Sequence, residues 1–320
     1  MTPRTLNQTL AALAATLALA SFLWAPTSLV ALAHRDPTLL HAILIELRLP
    51  RTLLALAIGA SLGLTGAAMQ GLLRNPLASP DVLGPSTGAA LGAVTVAYYA
   101  GIGGTLGLAA GGIGGALLAL LLLIALAGPA ASTATLVLAG VAISALGGAL
   151  TNLALSLAPS PYALYDVLFW LLGSLADRSL VHVAVALPAI AIGCGAILVQ
   201  RKGLDALALG EEVATSLGVD VARLRWTIVI GTGIAVGAGV AVAGAIGFVG
   251  LIVPHLVRPL VGGKPGAALV PSALAGACLL TAADLAVRIP IAGQELKLGV
   301  LTALIGAPFF LRLVLKGRAA

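Results

Sequence analysis

The chain is a series of long apolar runs separated by short polar stretches. A helix that crosses a membrane needs about 20 mostly apolar residues to cover ~30 Å of hydrocarbon. Eight runs approach or exceed this length: 10–33, 52–72, 85–102, 106–127, 134–156, 180–200, 267–287 and 298–315. Each run predicts one transmembrane helix, so the pattern indicates an all-α, polytopic membrane protein.

A ninth apolar stretch, from Trp226 to Val257, is too long for a single crossing. As one helix it would extend about 48 Å at 1.5 Å per residue. Gly244, Gly247 and Gly250 offer places for the chain to turn, so we predict two helices here, the second of them short. The total is then about ten transmembrane helices, which leave room for a single membrane domain over residues 1–320 and for no appended soluble domain.

The basic residues give this topology an orientation. Ten crossings place both termini on one side, and cytoplasmic loops carry the excess of lysine and arginine. With the N-terminus inside, eleven basic residues are cytoplasmic: Arg4, Arg74, Arg201, Lys202, Arg223, Arg225, Arg258, Lys264, Arg312, Lys316 and Arg318. The outer side then holds six: Arg35, Arg48, Arg51, Arg178, Arg288 and Lys297. We therefore predict that both termini are cytoplasmic.

The first apolar run has a second interpretation. Ala31-Leu32-Ala33 is similar to a signal-peptidase site, and Arg4 precedes the run as a basic n-region would. The apolar part of a signal peptide is usually about 7 to 15 residues long, whereas this run is about 24. We therefore favour a retained helix; cleavage would leave nine crossings, with the termini on opposite sides.

Composition excludes several classes of protein. Hydrophobic residues make up 60% of the chain and charged residues only 9%, against a usual ~25% charged. A cytosolic globule, a disordered chain and a nucleic-acid binder are thereby excluded, and two cysteines cannot build a disulfide scaffold. Glycines recur at four-residue spacing, as in Gly59/Gly63 and Gly233/Gly237, which predicts closely packed helices.

The ionisable residues show no catalytic or ion-coupling set. Asp284 and His182 lie deepest in the apolar runs, and we interpret both as satisfied helix-end residues rather than as a proton relay. Zinc-protease and nucleophile-elbow motifs are absent from the sequence. A phosphate loop is absent too, because Gly263-Lys264 is followed by proline and not by serine or threonine. We predict neither an enzyme nor a metal or cofactor site. An ATP-independent secondary transporter remains the alternative class, but such proteins usually place coupling groups near the membrane midplane.

The polar segment 201–225 predicts a short helix between two crossings. Glu211 and Glu212 stand where the helix would begin, because acids are favourable at its positive end. Gly218 is placed to end it in a left-handed cap. Three apolar residues would share one face: Val213, Ala214 and Leu217. Such a helix suits a groove on a partner protein, although a solvated turn is the alternative interpretation.

Seven motifs occur in order along nearly the whole chain. They are 48–52 (RLPRT), 66–71 (GAAMQG), 74–84 (RNPLASPDVLG), 170–175 (WLLGSL), 209–218 (LGEEVATSLG), 247–258 (GFVGLIVPHLVR) and 299–310 (GVLTALIGAPFF). Together they resemble the FecCD family, the permease subunits of ABC importers for iron siderophores, haem and cobalamin. Seven motifs in order are far more specific than any one of them.

The resemblance implies an assembly and a function. It implies a homodimer or a pair of permeases in the cell inner (cytoplasmic) membrane, in contact with membrane lipid, with the pathway at the subunit interface. Two ATP-binding subunits would lie on the cytoplasmic side and a periplasmic substrate-binding protein would dock outside; no nucleic acid is involved. The cargo would be a metal chelate, with an iron siderophore as the first candidate and haem or cobalamin as alternatives.

The resemblance also implies roles for individual residues. By motif, Arg48, Arg51 and Arg288 would meet glutamates on the two lobes of the binding protein. The ATPase-coupling helix would contain Glu211, Glu212, Val213, Leu217 and Gly218. The cytoplasmic gate would comprise Asn75, Pro76 and Leu77, where two prolines bar a regular helix. The fifth predicted helix, with Ser144, Thr151 and Asn152, would line the pathway, and the segment 162–170 would lie at the outer membrane interface.

Overall fold

The computed structural model describes residues 3–24, 36–80, 84–101, 104–128, 132–158, 160–290 and 294–318. This part of the chain is helical and contains no β-strand, which confirms the all-α prediction. The α-helices are α1 Pro3–Leu23, α2 Pro37–Leu72, α3 Pro85–Tyr98, α4 Gly104–Ala127, α5 Thr133–Ser156, α6 Pro161–Leu171, α7 Leu180–Val199, α8 Arg201–Leu207, α9 Glu211–Ser216, α10 Val221–Ala243, α11 Val249–Val257, α12 Pro265–Val287 and α13 Leu298–Arg318. A 3₁₀ turn, Arg258–Val261, follows α11.

Seven of these helices are long and apolar enough to cross a membrane, namely α1, α2, α4, α5, α7, α10 and α12. The helices α3, α11 and α13 are apolar but have shorter apolar segments. A polytopic membrane protein is therefore what the fold shows. The total of ten crossings and the cytoplasmic position of the termini stay predictions.

Helix α2 begins much earlier than its hydropathy indicates. The predicted run started at residue 52, whereas the helix starts at Pro37 and is 36 residues long. Asp36 caps it: its Oδ1 accepts hydrogen bonds from the backbone N–H groups of Thr38 (3.1 Å) and Leu39 (3.0 Å). The prediction was wrong because a polar cap, and not the start of the apolar run, sets the helix end. Arg48 and Arg51 consequently lie inside a helix.

A π-helical turn, Ile43–Arg48, interrupts α2 just before Pro50. The N–H of Leu49 donates to the carbonyl of Leu44, five residues back. Pro50 has no N–H, and in a regular α-helix its ring would clash with the carbonyl of residue 46. The wider turn accommodates this proline, and it sets the rotation of Arg48 relative to the first part of the helix.

Glycines bring the helices into backbone contact. A Cβ on Gly59 would lie inside van der Waals distance of the carbonyl of Gly276, and one on Gly63 would meet the carbonyl of Ser272. These contacts join α2 to α12, and Gly92 joins α3 to α4 in the same way. The close packing predicted from glycine spacing is therefore confirmed.

The long apolar stretch after Trp226 is divided as predicted. Helix α10 ends at Ala243, Gly244 takes a left-handed φ of 73°, and α11 starts at Val249. Gly250, offered by the sequence as a further turn, lies inside α11. At the other end of the chain, α1 covers Pro3–Leu23, and the signal-peptidase-like Ala31–Ala33 lies outside the described residues.

The bundle has two ends, which we name by their residues. The arginine end holds Arg48, Arg51 and Arg288, and the coupling end holds the segment 201–225 with the turn at 75–77. Helix α2 runs from the first end to the second, and α12 runs back, packed against it. Helix α12 has 23 residues and spans about 35 Å, so the two ends are roughly 30–35 Å apart.

Candidate functional site

At the arginine end, two arginines converge on one buried carboxylate. Asp284, near the end of α12, is fully buried. The Nε of Arg51 donates to both of its oxygens, at 3.0 and 3.1 Å, and the Nε of Arg288 donates to its Oδ2 at 3.0 Å. A buried charge is tolerated only when it is paired and hydrogen-bonded, as this one is. Asp284 is therefore the satisfied helix-end residue that the sequence indicated.

The same cluster ties three helices together. Arg288 donates from Nη1 to the carbonyl of Ser21 and from Nη2 to its hydroxyl, both at 2.7 Å. That hydroxyl shares a 2.9 Å hydrogen bond with the hydroxyl of Thr52. Burial lowers the pKa of Arg288, and the Asp284 carboxylate offsets part of this effect. The guanidinium stays charged at neutral pH and is held rigidly between α1, α2 and α12.

Arg48 lies at the rim of this cluster and differs from its two neighbours. Its Nη1 donates to the carbonyl of Phe22 at 3.2 Å, and within the described part of the chain no salt bridge to it is present. A cleft of about 710 Å³ opens here, lined by all three arginines, by the acids Asp177 and Glu295, and by Trp24 and Leu47 among others. The structure thus brings the three predicted docking residues to one concave, cation-bearing surface.

Glu295 is a residue of this cleft that the sequence did not single out. Its carboxylate lies 3.8 Å from Nη1 of Arg51, and its side chain is half-exposed. The sequence offered only one hint of Glu295, namely an acidic residue shortly after Arg288. Glu295 places a half-exposed carboxylate next to Arg51, which is already bound on its inner side to Asp284.

At the coupling end, the predicted short helix is present as α9. Glu211 and Glu212 form its first turn, as predicted. Gly218 has a φ of 83°, and its N–H donates to the carbonyl of Thr215 at 2.9 Å. The next N–H, of Val219, donates to Ala214 at 3.0 Å. This is a Schellman cap, so the predicted role of Gly218 is confirmed.

The predicted apolar face of α9 needs a correction. Ala214 is buried against the protein, so it does not share an exposed face with Val213 and Leu217. The exposed apolar residues are instead Leu209 (67%), Val213 (42%) and Leu217 (63%). We call these three residues the α9 ridge: Val213 and Leu217 are four residues apart at α9, and Leu209 lies in the turn just before the helix.

Two side chains fix α9 and its neighbours to the bundle. Glu211 accepts a hydrogen bond from Nη2 of the largely buried Arg225 at 3.1 Å. Asp205 accepts one from the backbone N–H of Gly266, in the first turn of α12, at 2.8 Å. Asp205 was not predicted to have a role. The only indication in the sequence was that an acid can accept hydrogen bonds from the unpaired N–H groups at the start of a helix. The coupling end is thereby joined to the helix that carries Asp284.

The predicted gate residues form a compact turn directly after α2. The side-chain oxygen of Asn75 accepts from the N–H of Leu77 at 2.9 Å, and the N–H of Asn75 donates to the carbonyl of Gln70 at 3.2 Å. Asn75, Pro76 and Leu77 are all exposed at the coupling end. The absence of a regular helix there agrees with the two prolines.

Two further predicted elements are helical, as expected. In α5, Thr151 is buried and bonded to the carbonyl of Gly147, whereas Asn152 is exposed beside small residues. Helix α6 covers Pro161–Leu171 and exposes Tyr162 and Phe169. In the described ranges no group of three or more His, Cys, Asp or Glu could hold a metal ion.

These features define a class of protein: a polytopic α-helical membrane protein in which the charged side chains described above lie at the two ends of the bundle. The family model of the FecCD transport family matches residues 8–316. The chain belongs to the FecCD transport family. It is a multi-pass ABC-transporter permease of the inner membrane. Members of this family are membrane subunits of transporters and not catalytic enzymes.

Several relatives are similar along most of their length. The cobalamin import system permease protein BtuC of Halobacterium salinarum is 40% identical over 87% of this chain and 74% of its own. The vitamin B12 import system permease protein BtuC of Vibrio cholerae is 40% identical over 85% and 82%. The Fe(3+) dicitrate transport system permease protein FecD of Escherichia coli is 40% identical over 87% and 86%.

Solved structures share the fold. An inward-facing structure described as a metal-chelate type ABC transporter superposes with a TM-score of 0.87 at 32% identity, covering 98% of this chain and 100% of the other. PsaBC from Streptococcus pneumoniae in complex with Fab gives a TM-score of 0.57 at 19% identity, over 88% and 93%, which is a likeness of fold alone.

Proposed function

We propose that this chain is the permease of an importer that moves a metal chelate from periplasm to cytoplasm, with an iron siderophore as the first candidate cargo. The relatives named for cobalamin and for ferric dicitrate support the cargo class, since both cargoes are chelated metals. They match at the same 40% identity, so cobalamin is an alternative cargo to be compared directly, with haem as the third candidate.

The observation that carries the proposal is the opposite character of the two ends. The arginine end presents a cation-bearing cleft, and the coupling end presents an exposed apolar ridge roughly 30–35 Å away. A soluble acidic partner suits the first surface, and a partner with an apolar groove suits the second. In this assignment two such permeases, as a homodimer or a pair, work with two ATP-binding subunits and a periplasmic binding protein.

Docking at the arginine end would rest on Arg48, Arg51 and Arg288. Guanidinium groups bind carboxylates through two parallel hydrogen bonds, so glutamates of the binding protein are suitable partners. Arg48 has no salt bridge among the described residues and is the member best able to take a new carboxylate. Arg51 would exchange Glu295 for an outside carboxylate while keeping Asp284.

Coupling at the other end would rest on the α9 ridge. Leu209, Val213 and Leu217 would enter a groove of the ATPase, and Asp205 would pass the movement to α12. The turn at Asn75–Leu77 would constrict the cytoplasmic exit, and the exposed face of α5 would line the pathway at the subunit interface. ATP binding would then switch the cavity between its two sides by rigid-body movement of the helices.

The test is transport by the reconstituted complex. Proteoliposomes containing this permease with its ATPase and binding protein should accumulate a radiolabelled ferric siderophore when ATP is enclosed. Parallel assays with cobalamin and haem rank the cargoes. Accumulation by this chain alone, without ATP, would contradict the proposal and favour an ATP-independent secondary transporter.

Arg48→Glu provides a specific test of docking. It should abolish ATP-dependent uptake while the permease still assembles with its ATPase, because the reversed charge repels an acidic partner. Arg4→Glu is the matched control, since Arg4 is exposed on α1 at the opposite end. The same reversal at Arg51 is less informative because it would place an acid against the buried Asp284. Normal uptake by the Arg48 variant would overturn the docking assignment.

A further inference from the structure

A second cavity lies beside the arginine cleft and shares Ala176 and Asp177 with its lining, but contains none of the three docking arginines. Its volume is about 670 Å³, within the range typical of small-molecule sites. It lies between the end of α3, helix α6, the loop before α7 and the residue preceding α13. The residues that matter here are Tyr98, Trp170, Asp177, Arg178 and Lys297.

Two residues that line this cavity each carry a buried hydrogen-bond donor without an acceptor. The donors are the Nε of Arg178 and the indole Nε1 of Trp170, and neither finds a partner among the described residues. Burial lowers the pKa of Arg178, and the neighbouring Asp177 acts in the opposite direction. An unpaired buried donor costs free energy, so an acceptor that reached these two residues would be favourable.

The charge of the cavity points to an anion. The Nζ of Lys297 sits 5.6 Å from the ring centroid of Phe169, so a second cation lies in the same lining. Asp177 also lines the cavity but is exposed, and within the described ranges it forms no ion pair with Arg178. The ligand chemistry that fits is an oxygen anion, such as a phosphate or a carboxylate.

An apolar groove continues from this cavity along the helices. We call it the glycine groove: it runs between α3, α4 and α5, has a volume of about 370 Å³, and includes Gly88, Gly92, Val96, Gly114, Gly147 and Leu150. The groove and the cavity take neighbouring stretches of the same two helices: Val96 and Ala97 on α3, and Ala110 and Leu108 on α4. The cationic cavity therefore lies at one end of the apolar groove.

We propose that the cavity and the glycine groove together bind one anionic phospholipid, with its phosphate against Arg178, Trp170 and Lys297 and an acyl chain along the groove. Basic pockets between transmembrane helices are suited to acidic headgroups. Phe169 of α6 lines the cavity and is exposed, as is Tyr162 near the start of the same helix, and aromatic side chains favour the headgroup depth of the bilayer. A soluble anion or an acidic protein would leave the groove without an occupant.

The groove and the predicted pathway residue Asn152 lie on different faces of α5. The groove takes Ile143, Leu146, Gly147 and Leu150, whereas Ala149 and Asn152 lie away from it around the helix. The lipid proposal therefore does not depend on which cargo is carried or on whether the chain transports at all.

The headgroup half is tested by native mass spectrometry of the full-length protein, purified in detergent with phosphatidylglycerol or phosphatidylcholine added. The wild type should retain one phosphatidylglycerol, and Arg178→Gln should lower that retention about tenfold, as expected for a lost charged hydrogen bond. Trp170→Phe, which removes only the indole donor, should lower it less. Arg4→Gln, at the opposite end, is the control for non-specific charge and should retain the lipid.

The acyl-chain half uses a glycine that faces open space. A Cβ on Gly114 would meet nothing within 4 Å, so Gly114→Leu fills the groove without disturbing helix packing. Phosphatidylglycerol retention should fall in this variant. Gly195 of α7 is equally open but lies away from the groove, and Gly195→Leu should bind normally. If both leucine variants retain the lipid, the groove is not its site and the proposal fails.

Further outcomes separate the lipid from other anions and from misfolding. The thermal unfolding midpoint should rise with phosphatidylglycerol but not with the same concentration of glycerol phosphate, and Arg178→Gln should lose only the lipid-dependent rise. Equal stabilisation by glycerol phosphate would replace the lipid with a soluble anion. Equal retention of phosphatidylcholine and phosphatidylglycerol would also overturn the proposal. So would an Arg178→Gln variant that retains the lipid normally but no longer captures the binding protein.

Discussion

The arginine end and the coupling end use polar residues in opposite ways. At the arginine end, Asp284 is fully buried and forms salt bridges with Arg51 of α2 and with Arg288, which follows the last residue of its own helix α12. At the coupling end, most hydrogen bonds of α9 are local, and the α9 ridge stays exposed. The first surface is preorganised by buried ion pairs, and the second is a short helix with a C-terminal Schellman cap and one salt bridge, from Arg225 to Glu211. Stability and interaction should therefore separate along the molecule.

This difference can be measured as free energy of unfolding. Changes at the arginine end should lower stability strongly, because they leave charges unpaired inside the protein. Changes on the α9 ridge should leave stability almost unaltered and act only on the partner. Four substitutions, in order of decreasing effect on stability, test the contrast.

The largest loss is expected for Asp284→Asn. Arg288 would keep its charge without the carboxylate that compensates it, and breaking such a buried pair typically costs about 3–5 kcal/mol. Chemical denaturation in detergent measures the change. Asp220→Asn is the control: Asp220 is exposed and caps α10, and asparagine caps equally well. An equal loss in both variants would remove the special status of the arginine end.

A smaller loss is expected for Gly63→Ala. The new methyl group would collide with the carbonyl of Ser272, and a backbone atom cannot rotate away, so we expect a cost of about 1–3 kcal/mol. Gly195→Ala should have the opposite sign and stabilise by up to ~1 kcal/mol, because its Cβ meets open space and alanine favours a helix. If the unfolding midpoints of Gly63→Ala and Gly195→Ala shift in the same direction by the same amount, this account of the packing is wrong.

Gly218→Ala should cost about 1 kcal/mol, because an L-residue with a side chain is strained at the left-handed φ of 83°. Gly218→Asn should cost less, since asparagine tolerates this conformation. Hydrogen exchange of the amides of Gly218 and Val219 reports the cap directly. Unchanged protection in the alanine variant would mean that the cap is not what ends α9.

The smallest effect on stability is expected for Leu217→Asp. Its side chain is 63% exposed, so unfolding should change by less than about 0.5 kcal/mol. Co-purification with the ATPase, and ATP hydrolysis by the complex, should nevertheless fall sharply. Leu217→Met keeps an apolar side chain and should retain both. Assembly that survives the aspartate would remove the α9 ridge from the coupling contact.

The sequence predicted the features that depend on local pattern. Hydropathy located α7 to within a residue, and the acids and glycine around α9 gave its limits. It misplaced the start of α2 because the Asp36 cap is a polar signal that hydropathy does not contain. It placed Ala214 on the exposed face because helical spacing alone does not say which side meets the bundle.

The polar contacts between distant parts of the chain could not be predicted. Arg51 and Asp284 are 233 positions apart, and nothing in either motif indicates that one binds the other. The link from Asp205 to Gly266 and the unpaired donors of Arg178 and Trp170 likewise arise only when separate helices pack together. The sequence grouped the arginines through family resemblance, and the structure adds the carboxylate that orients two of them.

Helix α12 is fastened at both extremities: Asp205 holds its first turn, and the Asp284 cluster holds its last. Its 23 residues, with Pro271 inside the helix, span about 35 Å. A 5° tilt of α12 about its first turn, where Asp205 binds it, would therefore displace its last turn at Asp284 by roughly 3 Å. Because α2 is locked alongside through Gly59 and Gly63, both would pivot together, and Arg51 would travel with Arg288.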